Sequence, residues 1–311
     1  MTGLGIESTS FRNGLPHESV LEIDVLTGSG EIITATPDGE HAELFFGFPP
    51  NSYGTLGYST RLKIALEPVK KYVALRHVRF DSLKKLEETM DRIVTEREYD
   101  GIAVDYLDGG VVFTDSESYL TLGVQTDEEG PVSDYTDQDI FYRSIQHSSL
   151  TQPKTDRLTI RDYLWRWDTD WFWCSRAFGA QNPKIRRFWP KQYLRSSFYW
   201  KLIALDHKYD IGDRLEKRKG KPPPRERVVQ DVEVPIERTA DFVSWFLEEI
   251  PIEPLWLCPL RLREPSPAAA SASRPWPPLY PPSNPSAPTS TSASGLRCRS
   301  FPVSARGQQI D

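Results

Sequence analysis

The order of apolar and polar residues predicts a β-rich N-terminal region built around a hairpin. Residues 20–26 and 31–36 alternate between apolar and polar side chains on either side of the turn Thr27-Gly28-Ser29-Gly30. Glycine supplies the positive φ that a short hairpin loop needs, so this pattern predicts two paired strands. A third strand is predicted at residues 61–66.

Further along the chain the pattern predicts a larger region that mixes strands with helices. Residues 72–80 alternate as a strand, and after Asp81-Ser82 the apolar residues recur at helical spacing: Leu83, Leu86, Met90, Ile93, Val94. More strands are predicted at residues 101–107, 110–114, 119–124, 228–235 and 255–260. A helix beginning at Thr239 is expected to point four residues inward: Phe242, Trp245, Phe246, Ile250. This order of elements favours an α+β fold with helices on one face of an antiparallel sheet.

Composition narrows the classes of function. The 311 residues can bury the cores of two domains, and the formal charge of −6 argues against a general nucleic-acid-binding protein. The three cysteines (Cys174, Cys258 and Cys298) are far apart, which fits a reducing compartment and no metal site. The sequence has no run of about 18 apolar residues and no signal-peptide pattern. We therefore expect a cytoplasmic protein without a transmembrane segment.

Residues 163–200 are rich in aromatic side chains and carry six of the nine tryptophans. No acidic residue occurs between Asn182 and Leu205, whereas six basic residues do: Lys184, Arg186, Arg187, Lys191, Arg195, Lys201. Three interpretations stay open here: an aromatic core with cations reaching the surface, a surface that rests on a membrane and admits a lipid, or a platform for base stacking. The overall acidity weakens the last of these.

The two glycine-rich segments, 3–14 and 51–58, permit two interpretations. Glycines in β-rich regions usually make turns, but loops of this kind also let backbone amides approach a bulky anionic ligand. Five strings decide between these: Gly-Leu-Gly-Ile-Glu-Ser, Ser-Phe-Arg-Asn-Gly, the Gly-Ser-Gly-Glu hairpin, Glu-Leu-Phe and Gly-Thr-Leu-Gly. In order and spacing they resemble the second half of the FAD-binding domain of the vanillyl-alcohol-oxidase/p-cresol-methylhydroxylase superfamily.

A second resemblance points to one branch of that superfamily. Arg227-Val228-Val229-Gln230-Asp231 and Pro254-Leu255-Trp256-Leu257-Cys258-Pro259 resemble the delta-24 sterol reductase branch. The resemblance covers Gly3 to about Arg263. It implies part of an FAD-binding domain at 1–68 and an α+β substrate domain at 69–263. Because the first matched motif follows Met1 directly, we expect the family's pyrophosphate-binding subdomain to be absent from this chain.

The segment 264–311 is rich in proline, serine and alanine. Such a composition cannot bury enough apolar surface to fold, so we expect a disordered tail. A shift of reading frame would explain it, because residues 283–295 can be encoded by codons that spell an aromatic strand in another frame.

The resemblance also implies the residues of the site. The flavin and ribityl side would be lined by Gly3, Gly5, Ile6 and Ser8, and the adenosine end by Gly54, Gly57 and Tyr58. Arg12 is expected either to touch phosphate or to form a structural salt bridge. A proton donor is needed for an alkene, and the residue types that could serve are Tyr106, Tyr142, His77 and Asp231, among which the sequence selects none.

The implied activity is the reduction of a carbon–carbon double bond of a sterol or another isoprenoid lipid, with non-covalent FAD as cofactor and NADPH as electron donor. One alternative is an FAD-linked oxidase or dehydrogenase of a small alcohol or amine, similar to the cytokinin dehydrogenases. The other is an inactive truncated fragment of such an enzyme. The implied partners are a small-molecule or lipid substrate and a membrane surface touched through residues 163–200, with no nucleic acid and no metal.

Overall fold

A computed structural model of the chain describes residues 6–48, 54–113, 117–135, 140–145, 154–169, 179–210, 230–250, 254–263 and 295–300, with the single residues 52, 175, 214 and 220. Its strands are β1 (Val20–Leu26), β2 (Ile32–Ala35), β3 (Tyr58–Ile64), β4 (Tyr72–Phe80), β5 (Glu98–Tyr99), β6 (Ile102–Ala103), β7 (Tyr106–Val112), β8 (Ser118–Thr126), β9 (Lys154–Thr159), β10 (Gln230–Pro235), β11 (Leu255–Pro259) and β12 (Gly295–Ser300). Its helices are α1 (Ser10–Asn13), α2 (Ala42–Gly47), α3 (Leu83–Glu96), α4 (Phe141–Ile145), α5 (Ile160–Trp165), α6 (Pro183–Phe188), α7 (Ser196–Tyr209) and α8 (Thr239–Glu249). Short 3-10 helices cover Pro16–Ser19, Lys191–Tyr193 and Ile236–Arg238.

The predicted hairpin forms the centre of a small antiparallel sheet with strand order β2-β1-β3. Gly30, in the turn, has φ +86°, which confirms the need for glycine there. Strand β3 begins three residues earlier than the sequence predicts. A separate apolar core lies under this sheet and includes Ile23, Val25 and Phe45.

A larger sheet follows, with strand order β10-β12-β11-β7-β8-β4-β9, and every pair in it is antiparallel. One side, which we call the α3 face, is covered by α3 and α8. It is packed mainly with aliphatic side chains, among them Leu86, Met90, Leu120, Val243 and Leu257. The mixed fold with an antiparallel sheet, the strand at 72–80 and the helix after Ser82 are confirmed.

The other side of the large sheet, which we call the loop face, is also covered, so the expectation of helices on one face alone is wrong. Parts of the loop of residues 6–15 and the short helices α4 and α5 lie over it, with Ile6, Leu15, Phe141 and Tyr163 buried there. Phe11 of the same loop is buried in the core of the α3 face. Strand residues alternate between faces. In β11, for example, Leu257 faces α3 whereas Trp256 and Cys258 face the loop.

Strand β7 replaces two strands that the sequence predicts, 101–107 and 110–114. The Asp108-Gly109 pair suggests a turn, but the strand continues through it with a shift of register against β8 between Leu107 and Gly110. Gly109 has φ +83°, so the extra residues are absorbed as a bulge within one strand.

Helix α8 meets the expectation for two of four residues, because Phe242 and Phe246 pack against the core of the α3 face. The carboxylate of Glu87 accepts a hydrogen bond from the backbone N–H of Ala240 at 2.8 Å, and this contact turns Ala240 and Val243 inward. Trp245 and Ile250 are consequently exposed, and the prediction that they point inward is wrong.

Within the segment for which the sequence predicts no folded structure, the backbone of β12 pairs with β10 on one side and β11 on the other. Strand β12 thus occupies the place between β10 and β11 in the strand order and pairs with an edge of each. The remainder of 264–311 lies outside the described residues.

Candidate functional site

The loop of residues 6–10, which we call the flavin loop after the resemblance that singles it out, is fixed onto the loop face of the large sheet. The backbone N–H of Leu107 donates to the carbonyl of Ser8 at 2.8 Å, and that of Arg261 donates to the carbonyl of Ser10 at 3.1 Å. The thiol of Cys258 lies 3.7 Å from the carbonyl oxygen of Glu7. Two strands and the segment after β11 therefore hold the loop, and Ile6 is buried beneath it.

A pair of tyrosines lies under the flavin loop. The rings of Tyr106 and Tyr163 have centroids 4.8 Å apart, and the Tyr163 hydroxyl donates to Ser8 Oγ at 3.2 Å. Burial raises the pKa of Tyr163, and it raises the pKa of Tyr106 as well. Both phenols therefore keep their protons at neutral pH.

A buried ion pair lies next to the tyrosines. Arg166 Nε donates to Asp108 Oδ2 at 2.8 Å, Arg166 Nη2 contacts Asp108 Oδ1, and the side chains are only 9% and 6% exposed. The guanidinium also donates to the carbonyl of Tyr163 at 2.6 Å and lies 4.0 Å from the centre of that ring. The bidentate pair thus fixes the backbone and the ring of Tyr163 together.

The bulge in β7 positions the ion pair against Trp256. The indole Nε1 of Trp256 donates to the carbonyl of Asp108 at 2.9 Å. A side chain at Gly109 would collide with this indole nitrogen and with the carbonyl oxygen of Leu257. Glycine is required at 109 for its positive φ and for the close approach of the indole.

The residues expected at the adenosine end lie elsewhere, at the far end of β3. Gly54 and Gly57 have φ +77° and +129°, and Tyr58 is 71% exposed. The near end of β3 adjoins the loop of residues 6–15, because Arg12 pairs with Glu67 just beyond it. At about 3.3 Å per residue, the two groups of predicted residues are separated by roughly 20 Å along β3. Gly3 and Gly5 lie outside the described residues.

Of the two roles considered for Arg12, the structure shows the salt bridge. Arg12 Nη1 lies 2.7 Å from Glu67 Oε1, and Asn13 donates to the same carboxylate. The hydrogen bond from Arg12 is the main reason why the pKa of Glu67 lies below its usual value.

Among the four candidate proton donors, Tyr106 is the one that the described structure places in the site. His77 is fully buried, its Nδ1 lies 2.8 Å from Thr121 Oγ1, and burial lowers its pKa to about 4, so it is neutral at pH 7. The side chains of Tyr142 and Asp231 lie outside the described residues.

Three residues that shape the site escaped sequence reasoning: Asp108, Arg166 and Trp256. The signals available in the sequence were Arg166, one of several arginines in the aromatic segment 163–200, and an Asp-Gly-Gly string between apolar strand residues. Their pairing joins positions 58 and 148 residues apart, which no local pattern reveals.

A cleft of about 640 Å³ lies on the α3 side of the sheet, between β4, β8, β9 and the β5–β6 hairpin. None of the predicted cofactor residues that the structure describes lines it. Two of its charged residues pair with each other, Arg157 with Glu128 at 3.7 Å, and a third, Arg76, pairs with Asp100. We therefore place the candidate site at the flavin loop. The described residues contain no cluster of His, Cys, Asp and Glu that could hold a metal ion.

Comparison with known proteins identifies relatives over most of the chain. The Delta(24)-sterol reductases of Mus musculus and Homo sapiens are each 27% identical over 269 residues, covering 84% of this chain and 48% of the relative. The Delta(24)-sterol reductase of Arabidopsis thaliana is 24% identical over 274 residues, covering 84% and 46%. Over most of its length this chain is similar to the Delta(24)-sterol reductases. The resemblance to that branch, which the motifs indicate, is confirmed.

The similarity covers only part of each relative, and the matches to other proteins are shorter or weaker. The chain spans about half the length of these curated relatives. Cytokinin dehydrogenase 5 of Oryza sativa subsp. japonica is 31% identical over 112 residues, which are 36% of this chain and 20% of that protein. The solved structure of Physcomitrella patens BBE-like 1 aligns with a TM-score of 0.34 and 14% identity over 51% of this chain and 32% of its own. No protein-family model matches the chain. In the described part of the chain, no helix has both the length and the apolar character needed to cross a membrane.

Proposed function

We propose that this chain forms part of an FAD-dependent reductase that reduces a carbon–carbon double bond of a sterol or isoprenoid lipid, with NADPH as the electron donor. The observation that carries this proposal is the flavin loop, fixed by backbone hydrogen bonds over a buried tyrosine pair and a buried ion pair. The similarity to Delta(24)-sterol reductases over 84% of the chain supports the same class of reaction.

The residues present fit FAD, which we propose to be bound without a covalent link. Ile6 and Ser8 lie on a rigid loop over an aromatic layer, which suits the flat, largely apolar flavin ring and its ribityl chain. Gly54 and Gly57 both have positive φ and precede the exposed Tyr58, and we propose this loop for the adenosine end. Gly3 and Gly5 belong to the same proposal from sequence alone. A bound flavin supplies the hydride chemistry.

The chain's own residues would supply the proton and hold the geometry. Addition of hydride to an alkene must be completed by a proton, and we propose Tyr106 as its donor because its phenol keeps a proton and its ring packs on Tyr163 under the flavin loop. Tyr163 is engaged with Ser8, and the pair of Arg166 and Asp108 holds Tyr163, so these three act as positioning residues. Such general acids typically contribute 10²–10⁴-fold to a rate.

A lipid substrate also agrees with the aromatic and basic segment 163–200. Parts of this segment are exposed, including Trp165 at 51% and Phe188 at 83%. We propose that the segment contacts the membrane from which the substrate comes. Trp171 and Trp173 in this segment lie outside the described residues.

The proposal is tested with the chain loaded with FAD. Under anaerobic conditions NADPH should bleach the flavin absorbance, and a sterol with a side-chain double bond should restore it. Tyr106→Phe should leave bleaching intact and slow the restoration by sterol about 100-fold or more. Tyr99→Phe, on the opposite face of the sheet, is the matched control. A loaded protein that NADPH does not bleach, or that no sterol reoxidises, contradicts the proposal.

The match to cytokinin dehydrogenase 5 favours a second candidate, an oxidase or dehydrogenase of a small alcohol or amine. The same loaded protein separates the two. In this case an alcohol or amine, and not NADPH, would bleach the flavin, and oxygen or a quinone would restore its absorbance.

A further inference from the structure

The cleft between β4, β8, β9 and the β5–β6 hairpin has a mainly apolar lining that the proposed reaction does not use. Residues of the three strands form its floor, and the hairpin and the segment 128–133 after β8 form its two walls. Its apolar residues include Ala74, Tyr99, Ile102, Val124, Pro131 and Val132. Ile102 and Val132, one from each wall, are exposed. The volume of about 640 Å³ is within the range of sites that bind small molecules.

Two arginines line this cleft, and they differ in how well their charge is compensated. Arg76 pairs with Asp100 at 2.6 Å, and its guanidinium lies 4.9 Å from the centre of the Tyr99 ring. Arg157 Nη2 lies 3.7 Å from Glu128 Oε2, which is beyond hydrogen-bond distance, and Glu128 is 79% exposed. Arg157 Nε is buried and has no hydrogen-bond partner among the residues that the structure describes. An exposed carboxylate at this distance binds weakly, so the Arg157 guanidinium can accept a further anionic partner.

The surroundings of Arg157 keep its guanidinium at the cleft. A side chain at Gly130 would collide with Arg157 Nη1, so glycine leaves the space that the guanidinium occupies. The backbone N–H of Ser133 donates to the carbonyl of Arg157 at 2.9 Å, which joins the wall of the cleft to its floor. The neighbouring carboxylate of Asp156 is already engaged, because it accepts hydrogen bonds from Ser133 Oγ at 2.6 Å and from the Tyr135 hydroxyl.

We propose that this cleft binds a small amphipathic carboxylate, with the carboxylate on Arg157 and the apolar body between the β5–β6 hairpin and the segment after β8. The planar guanidinium suits a carboxylate because it can donate two parallel hydrogen bonds to it. An apolar body would remove the exposed side chains of Ile102 and Val132 from water. The cleft and the flavin loop lie on opposite faces of the sheet, so the inference is independent of the proposed reaction.

The test is isothermal titration calorimetry of the full chain with 2-naphthoate and with 2-naphthamide, which has the same apolar body without the charge. The carboxylate should bind about tenfold more tightly than the amide. Arg157→Gln should weaken binding of 2-naphthoate about tenfold and change binding of the amide little. Glu128→Gln should strengthen binding of 2-naphthoate by about two- to threefold, because it removes the exposed carboxylate that competes for Arg157.

Two further variants test the position of the ligand. Ala103→Trp, at an exposed residue that lines the cleft from β6, should fill it and weaken binding of both compounds. Arg61→Gln is the matched control, because Arg61 also pairs with a carboxylate, Asp24, but lies in the small sheet. This variant should bind 2-naphthoate like the unaltered chain. Circular dichroism checks that each variant is folded.

The titration is repeated with the chain loaded with FAD, and the affinity for 2-naphthoate should be the same. Loss of binding in the loaded chain would overturn the inference, because the ligand would then lie at the flavin loop. No binding of 2-naphthoate, equal affinities for the carboxylate and the amide, or unchanged binding by the folded Arg157→Gln variant would overturn it as well.

Discussion

The two faces of the seven-stranded sheet are packed with different chemistry. On the α3 face, aliphatic side chains of two helices meet aliphatic side chains of the strands. On the loop face, the same strands contribute Tyr106, His77 and Trp256, and the covering elements add Tyr163 and Arg166. One sheet thus supports an apolar core on one side and a buried polar network on the other.

The difference indicates that the α3 face mainly stabilises the fold, whereas the loop face carries the candidate site. Burial of aliphatic surface stabilises without requiring polar partners. A buried polar network has to satisfy every donor and acceptor, and replacing it with apolar residues would often cost nothing. A network held at that position, directly under the flavin loop, indicates a role in positioning the loop.

The largest effect is expected from breaking the buried ion pair. Asp108→Ala leaves the Arg166 guanidinium without its carboxylate in a buried position, which should lower the free energy of unfolding by about 3–5 kcal/mol. Urea denaturation measures this change. Asp24→Ala removes a pair with Arg61, which is 53% exposed, and should shift the midpoint far less. Equal shifts for the two variants would show that the buried pair stabilises the protein no more than the exposed pair does.

The second largest loss of stability is expected from a mutation that creates a cavity in the core of the α3 face. Met90 is fully buried, so Met90→Ala should cost about 3 kcal/mol of stability. The folded variant should retain FAD as well as the unaltered chain does, because Met90 does not touch the loop face. Denaturation followed by measurement of bound flavin tests both statements. Loss of flavin from the folded variant would contradict the separation of the two faces.

The loop face should also respond to acid through His77. Its pKa of about 4 in the folded chain lies below the ordinary value of 6.5, because burial disfavours the charged form. The unfolded chain therefore binds the proton first as the pH falls, and the stability that is complete above pH 6.5 is lost between pH 6.5 and 4. This loss should reach about 2–3 kcal/mol by pH 4.5.

Denaturation midpoints from pH 7 to 4.5 measure the acid response. His77→Gln should flatten this part of the profile, since glutamine does not titrate and keeps a polar group near Thr121. An unchanged slope in the variant would assign the acid response to other groups.

The smallest effect concerns one hydrogen bond. Tyr163→Phe removes the donor to Ser8 and should cost about 1 kcal/mol of stability. Tyr199→Phe, which removes a similar bond to the carbonyl of Thr169, should cost about the same. Tyr163→Phe alone should also weaken binding of FAD, measured by flavin fluorescence titration. Equal flavin affinity in both variants would show that Tyr163 has no role in flavin binding.

The sequence predicts well those parts that local pattern decides. The alternation from Tyr72 to Phe80 and the helical spacing after Ser82 define β4 and α3 because each element buries one face. The sequence predicted two strands separated at Asp108-Gly109, because an Asp-Gly pair can form either a turn or a bulge. Pairing with β8 on both sides of this pair makes it a bulge. The network of Asp108, Arg166 and Trp256 is a tertiary property that arises only when distant segments meet.

The central claim is that the flavin loop and the residues Gly54, Gly57 and Tyr58 at the far end of β3 hold FAD. The most direct measurement is the visible absorption spectrum of the full chain after incubation with excess FAD and removal of free flavin. The account predicts a retained flavin spectrum, weaker in Tyr163→Phe and unchanged in Met90→Ala. A colourless protein with a native circular dichroism spectrum would contradict the claim for this chain.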